Sequence, residues 1–297
     1  ITELGNLTSI GANVNIEAND SLTSLIGFHN ISTVGGDFLI GANDALTNLN
    51  GLEMLEQIGG SLEIGFNDLL NDLNALENMT HVPGYLVISN NASLTNMYGL
   101  HNISTVGQDL QVGIMESIPD LSGLEGITTI GSSLVVGWTY GLTSLNGLDN
   151  ITSVGKKVWL FGNGSLTDLT SLNQLSTVGD AVEIRQNPQL KSLNGLENIT
   201  SIGGELIIYD NPLLTTCAIQ SICNYLENPV DEVTVYGNGP GCISKEEIQL
   251  NCGYSAGGQV YYDFNQNQEK DDFEPGVSNN PILIEPAGDL VFPSNNG

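Results

Sequence analysis

Residues 263–274 read DFNQNQEKDDFE, with side-chain oxygens at the first, third, fifth, ninth and twelfth places. Spacing of this kind lets a single short loop wrap a hard cation such as Ca2+, which binds oxygen ligands. Gln268 occupies the sixth place, where the sharp turn of such a loop favours Gly, and this lowers the expected affinity. The alternative is a polar hairpin without metal. A second group is Cys217, Cys223, Cys242 and Cys252, confined to one segment; the preceding 216 residues contain none. An even number in one small region points to two disulfides and an oxidising compartment. Zinc is the competing reading, but the spacings lack the close cysteine pair that zinc sites usually show. The third group is aromatic: Trp138 with Tyr140, and Trp159 with Phe161, include both tryptophans of the chain. Flat aromatic faces suit sugar rings or a protein hot spot.

Nothing comparable suggests catalysis. The chain has no phosphate loop, nucleophile elbow or HExxH run. Its histidines are His29, His81 and His101. His29 and His101 hold equivalent repeat positions three rungs apart, about 14 Å at strand spacing, too far to share a metal. A glycosidase needs two facing carboxylates, and a pair such as Glu63 and Glu183 lies five repeats apart. The expectation is a protein that is not an enzyme.

These groups are positioned by a repeat. Segments starting at Gly11, Gly35, Gly59, Pro83, Gly107, Gly131, Gly155, Gly179 and Gly203 are each 24 residues apart, without insertion or deletion. The fourth and sixth positions are apolar throughout, as in Val158 and Leu160, which is the alternation of a strand. Apolar residues then recur every third position, as in Leu142, Leu145, Leu148, Ile151 and Val154. That step suits a coil turning around a core rather than a regular helix. Each repeat is therefore read as one rung: a short strand, a turn, and an irregular or 3-10-like return. Stacked rungs bury what a single rung cannot, and their strands form a parallel sheet. The fold class expected is a β-rich solenoid. The ninth position is usually Asn, whose amide can satisfy turn backbone groups inside the coil; it fails at Met115 and Thr139.

This pattern resembles the leucine-rich repeat superfamily. More specifically it is similar to the receptor L-domain-like repeats of Bacteroidota surface proteins, and residues 179–202, GDAVEIRQNPQLKSLNGLENITSI, carry the likeness most fully. The resemblance covers about residues 1–252. It implies an extracellular or cell-surface location and an adhesive or binding role, and names no ligand.

Three regions follow: solenoid repeats over 1–202, a C-terminal solenoid cap with the cysteines over 203–254, and a segment over 255–297 whose resemblance to SdrD B-like domains implies part of a small β-sandwich. The cap reads as a short helix over 218–226, a strand leading to Asn238, and a helix over 244–251 capped by Ser244. Four cysteines permit three pairings. Cys217 and Cys242 fall at similar points of successive rungs, as do Cys223 and Cys252, so these two pairs are expected. Residues 258–297 resemble the opening of SdrD B-like, Cna-B-related surface domains. Carrying over that motif makes Asp263, Asn265, Asn267, Asp271 and Glu274 the Ca2+ ligands, with Glu269 contributing through its carbonyl. The chain opens inside a repeat and closes inside this domain, so it is read as a fragment.

On the sheet, the third, fifth and seventh positions face outward and are mostly small or polar. The exceptions cluster as Trp159, Phe161, Arg185 and Tyr209, with Trp138 and Tyr140 close by. This exposed aromatic patch is the candidate ligand site. In the other reading Trp138 folds inward to replace a missing Asn, and Trp159 and Phe161 merely pack on each other. The Asn-x-Ser/Thr sequons at Asn30, Asn78, Asn102, Asn150 and Asn198 are read as turn chemistry of the repeat.

Net charge is -28, from 34 acidic and 6 basic residues, which argues against nucleic acid or an anionic membrane as partner. No apolar run is long enough to span a membrane. The function expected is a cell-surface adhesion or recognition module binding a glycan or protein through the sheet face. The alternative is a structural spacer or filament subunit, self-associating through open solenoid ends.

Overall fold

The computed structural model describes residues 4–253. Ten strands form one parallel sheet: β2 (Val14–Glu17), β4 (Phe38–Gly41), β6 (Leu62–Gly65), β8 (Leu86–Ser89), β10 (Leu110–Met115), β12 (Leu134–Thr139), β14 (Val158–Phe161), β16 (Val182–Arg185), β18 (Leu206–Tyr209) and β19 (Val233–Tyr236). The register steps by one repeat from strand to strand, as in Val158↔Val182 and Phe161↔Arg185. Alternation sets the faces: Val158 and Leu160 are buried, while Trp159 and Phe161 are half-buried on the outside. The chain is thus a parallel β-solenoid, and the third-position apolar residues Leu142, Leu145, Leu148, Ile151 and Val154 lie in its core.

The return path departs from expectation in one respect. The 3-10 turns at Ile26–Phe28, Asn74–Leu76 and Thr170–Leu172 are as expected. What departs is a second, two-residue strand in each rung: β1 (Ser9–Ile10), β3 (Thr33–Val34), β5 (Gln57–Ile58), β7 (His81–Val82), β9 (Thr105–Val106), β11 (Thr129–Ile130), β13 (Ser153–Val154), β15 (Thr177–Val178) and β17 (Ser201–Ile202). These form further parallel sheets of three and six strands on the other side of the coil. Two residues are too few to show an alternation, so no periodicity marked them.

Polar side chains staple the rungs at fixed positions. Asn at the ninth position is buried, as at Asn43, Asn67, Asn163, Asn187 and Asn211. Asn187 Nδ2 donates to Leu160 O, Arg185 O and Asn211 Oδ1 at 3.0, 3.0 and 3.3 Å, joining three neighbouring rungs. Its backbone N–H also donates to Asn211 Oδ1 at 3.0 Å. The fourteenth position holds Ser, Asn or Asp, whose oxygen accepts the backbone N–H two residues on, as Asp72 does from Asn74. The sequon asparagines each donate Nδ2 to a carbonyl of the preceding rung, from Asn30→Gly5 O at 2.6 Å to Asn198→Asn173 O at 2.7 Å. That is the turn chemistry expected of them.

The eighth residue of the rung adopts positive φ in every rung. The residues are Ala18, Ala42, Phe66, Asn90, Ile114, Trp138, Gln186 and Asp210, with Gly162 and Gly237 in the other two. A left-handed conformation at a non-glycine residue costs on the order of 1–2 kcal/mol. It is held here because the N–H at this position donates to the next rung, as Phe66 N→Ser89 O and Gln186 N→Tyr209 O do. The side chain is left pointing away from the core, which matters for Trp138.

The cap follows β18. Helix α1 (Gln220–Glu227) lengthens the step to β19, so that Leu206 pairs with Val233. Helix α2 (Lys245–Asn251) starts at Ser244, which accepts from Glu247 N, while the Glu247 carboxylate accepts from Ile243 N at 2.7 Å. The disulfides are Cys217–Cys242 and Cys223–Cys252, each with Cα atoms 5.6 Å apart, as their rung positions anticipate. The Asn ladder ends in the cap, where Asn238 Nδ2 donates to Ile208 O and Cys242 O. The Ca2+ loop residues Asp263, Asn265, Asn267, Glu269, Asp271 and Glu274, and the partial β-sandwich, lie outside the described residues.

Three outcomes follow for stability. Asn187→Ala removes the donors to buried carbonyls and should lower unfolding free energy by about 1–3 kcal/mol in urea titration. Breaking Cys217–Cys242 by paired Ser substitution should destabilise by about 2–4 kcal/mol, a difference that disappears when both proteins are measured reduced. Asp168 is held below the usual carboxylate value of 3.8 by the Thr170 hydroxyl first, then by the Thr170 N–H and Thr167 hydroxyl against partial burial. The charged form is the bound form, so its stabilisation is present above the ordinary carboxylate value and lost as pH falls through the depressed one. Asp168→Asn should therefore differ from wild type in thermal midpoint at neutral pH, and the gap should close on acidification below 3.8.

Candidate functional site

The seventh position of the rung faces outward, and in four successive strands it carries planar groups: Phe161, Arg185, Tyr209 and Tyr236, paired in register. Parallel strands hold equivalent side chains about 4.8 Å apart, close to the stacking distance of flat groups. Tyr209 and Tyr236 stack with centroids 4.8 Å apart and planes 11° from parallel. The Arg185 guanidinium lies 5.0 Å from the Phe161 centroid, 5.3 Å from Trp159 and 5.8 Å from Tyr209. It bridges the two aromatic groups by cation–π contact. Its Nε donates to Glu183 Oε1 at 2.6 Å, the one ion pair among the described residues, so the strip carries little net charge at its centre.

Trp159 stacks on Phe161 at 4.6 Å, and Trp138 meets Phe161 edge-on at 5.7 Å and 89°. Gly137 provides room for this arrangement: a methyl group there would collide with the tip of the Phe161 ring. The Trp159 indole Nε1 is buried without a hydrogen-bond partner. Partial desolvation first, then the proximity of Tyr209 and Asp210, raise the Tyr236 phenol above its ordinary value, with Arg185 opposing. Tyr236 therefore remains a protonated hydrogen-bond donor at neutral pH.

The structure thus joins Trp138, Trp159, Phe161, Arg185 and Tyr209 in one run of ring and cation contacts. Tyr140 is exposed outside that run, on the turn, against Gly164 of the next rung. Trp138 does not fold inward. It is 43% exposed, and the space left by the missing Asn is filled by Met115 and Thr139, both fully buried. Thr139 keeps part of the ladder by donating its N–H and hydroxyl to Asn163 Oδ1. Packing of Trp159 on Phe161 is real, so that half of the alternative reading holds alongside an exposed patch.

Tyr236 belongs to the strip and was not among the residues singled out from sequence. Its signal was present: it stands two residues before Asn238, as Tyr209 stands two before Asn211. The longer step through α1 obscured that equivalence.

Among the described residues no three His, Cys, Asp or Glu side chains are grouped to hold a metal ion. No described helix is long and apolar enough to cross a membrane. No protein-family model, curated protein or solved structure matches the chain.

Proposed function

We propose that this chain is a non-catalytic recognition module of a secreted or cell-surface protein, binding a glycan or a protein through the outer face of its sheet. The observation that carries the reading is the strip from Trp138 to Tyr236. Trp, Tyr and Arg are the residues that dominate binding hot spots. Here they are clustered and held in place by mutual stacking, on a face whose other side chains are mostly small or polar, with scattered apolar ones such as Leu39, Tyr85 and Val87. Groups already ordered lose little freedom on binding. The two disulfides suit an oxidising, extracellular setting. The likeness to leucine-rich-type surface repeats points the same way.

The test is an array of purified glycans and extracellular proteins probed with the intact chain. Wild type should bind at least one member. The double variant Trp159→Ala/Phe161→Ala should bind that member about thirtyfold more weakly, as expected for loss of a hot spot, with its circular dichroism unchanged. Affinity within twofold of wild type would sink the assignment to this face.

A further inference from the structure

The strip contains two kinds of aromatic surface. In the column Phe161–Arg185–Tyr209–Tyr236 neighbouring groups cover most of one another's faces, and only Tyr236, at the end of the column, is 50% exposed. Trp138 and Tyr140 are different. They are 43% and 56% exposed; Trp138 stands at the penultimate position of β12, and Tyr140 on the turn that follows it. Trp138 has positive φ, which directs its ring away from the core.

The next rung supplies a floor for both rings. Its turn is Gly162-Asn163-Gly164, with Asn163 buried in the ladder. A methyl group at Gly162 would stand 3.0 Å from Trp138 Cε3 and 3.3 Å from Cδ2 and Cζ3. Contact with several atoms of the six-membered ring means that the indole lies face-down on this glycine. A methyl group at Gly164 would stand 3.3 Å from Tyr140 Cδ1. Any side chain at Gly162 would press on the indole, and one at Gly164 would crowd the edge of the phenol ring. With glycine at both, the indole rests on backbone, the phenol ring has one edge against Gly164, and both side chains keep about half of their surface open to solvent.

Such a surface is complementary to the C–H face of a pyranose ring, which is apolar and flat while its hydroxyls project around the rim. The register supplies polar neighbours for those hydroxyls. Glu116 occupies the Tyr140 position one rung earlier, and Gln186 occupies the Gly162 position one rung later. Gln186 is exposed, and its Oε1 accepts from Arg185 Nη1 at 3.3 Å, leaving its NH2 to donate elsewhere. The carboxylate of Glu116 and the chain's net charge of -28 disfavour an anionic sugar.

We infer that Trp138 and Tyr140, seated on Gly162 and Gly164, form a stacking site for a neutral pyranose glycan. This rests on the recognition reading above and names the ligand class and the contact residues within it.

Affinity electrophoresis of the intact chain in native gels tests it, with mixed-linkage β-glucan, xylan, mannan and dextran as neutral probes and polygalacturonate and alginate as anionic ones. At least one neutral polysaccharide should retard the wild type. Trp138→Ala and Tyr140→Ala should each weaken that retardation about tenfold, in line with loss of an aromatic stacking contact. Phe66→Ala removes an exposed ring at the equivalent position of a distant rung and should change nothing. In Trp159→Phe the sole tryptophan is Trp138, and its fluorescence should shift on adding an oligosaccharide of the retarding polymer. Retardation by none of the neutral polymers, or by the anionic ones alone, overturns the proposal. So does retardation that survives both the Trp138 and Tyr140 substitutions. If retardation is lost only in Trp159→Ala/Phe161→Ala, this site is wrong while the recognition reading stands. A protein ligand on the array without any polysaccharide retardation leads to the same division.

Discussion

Each turn of the coil brings backbone N–H and C=O groups into a space from which water is excluded, and they must find partners there. The buried asparagine at the ninth position meets that demand. One amide accepts from the preceding rung and donates to carbonyls of its own and the preceding strand, while contacting the next amide in the stack. A side chain that must reach three rungs at once tolerates no slippage. The uniform 24-residue step is therefore as much a polar constraint as an apolar one. Leucines would permit a looser coil; the amides fix the register.

The departures from that constraint lie next to the aromatic surface. At Met115 and Thr139 the amide is missing, and β10 and β12 run on for six residues where their neighbours have four. Backbone pairing of Met115 with Thr139 replaces part of the lost side-chain network. Trp138 sits within the longer strand, and the following rung has glycine on both sides of its asparagine. Side chains in place of those glycines would crowd the rings. Stability and surface chemistry are thus separated in sequence: the inward positions repeat, and the outward ones vary.

Much of this was legible without coordinates. The fourth and sixth positions announced the strands, the asparagines announced the ladder, and the cysteines' places in successive rungs announced their pairing. The short second strand was not legible, because Thr105–Val106 and its equivalents are too brief to display a period. The positive φ at the eighth position was hidden for another reason. Its occupants range from Ala18 to Phe66 to Trp138, and no residue preference marks a conformation imposed by neighbouring rungs. That hidden feature decides which way Trp138 points, so the orientation of the patch could not be read from residue types. Tyr236 was masked by the longer step around α1, although its relation to Asn238 matches that of its neighbours.

Because every rung is the same length, separation along the chain translates into separation in space by simple counting. Four strand steps divide Trp138 from Tyr236, about 19 Å at sheet spacing. Removing or duplicating one 24-residue unit on the N-terminal side of β12 would leave the strip intact and joined to the cap, and shift it by one rung relative to the opposite end. The molecule is in effect a graduated ruler, on which a binding surface can be moved to a new mark without being rebuilt.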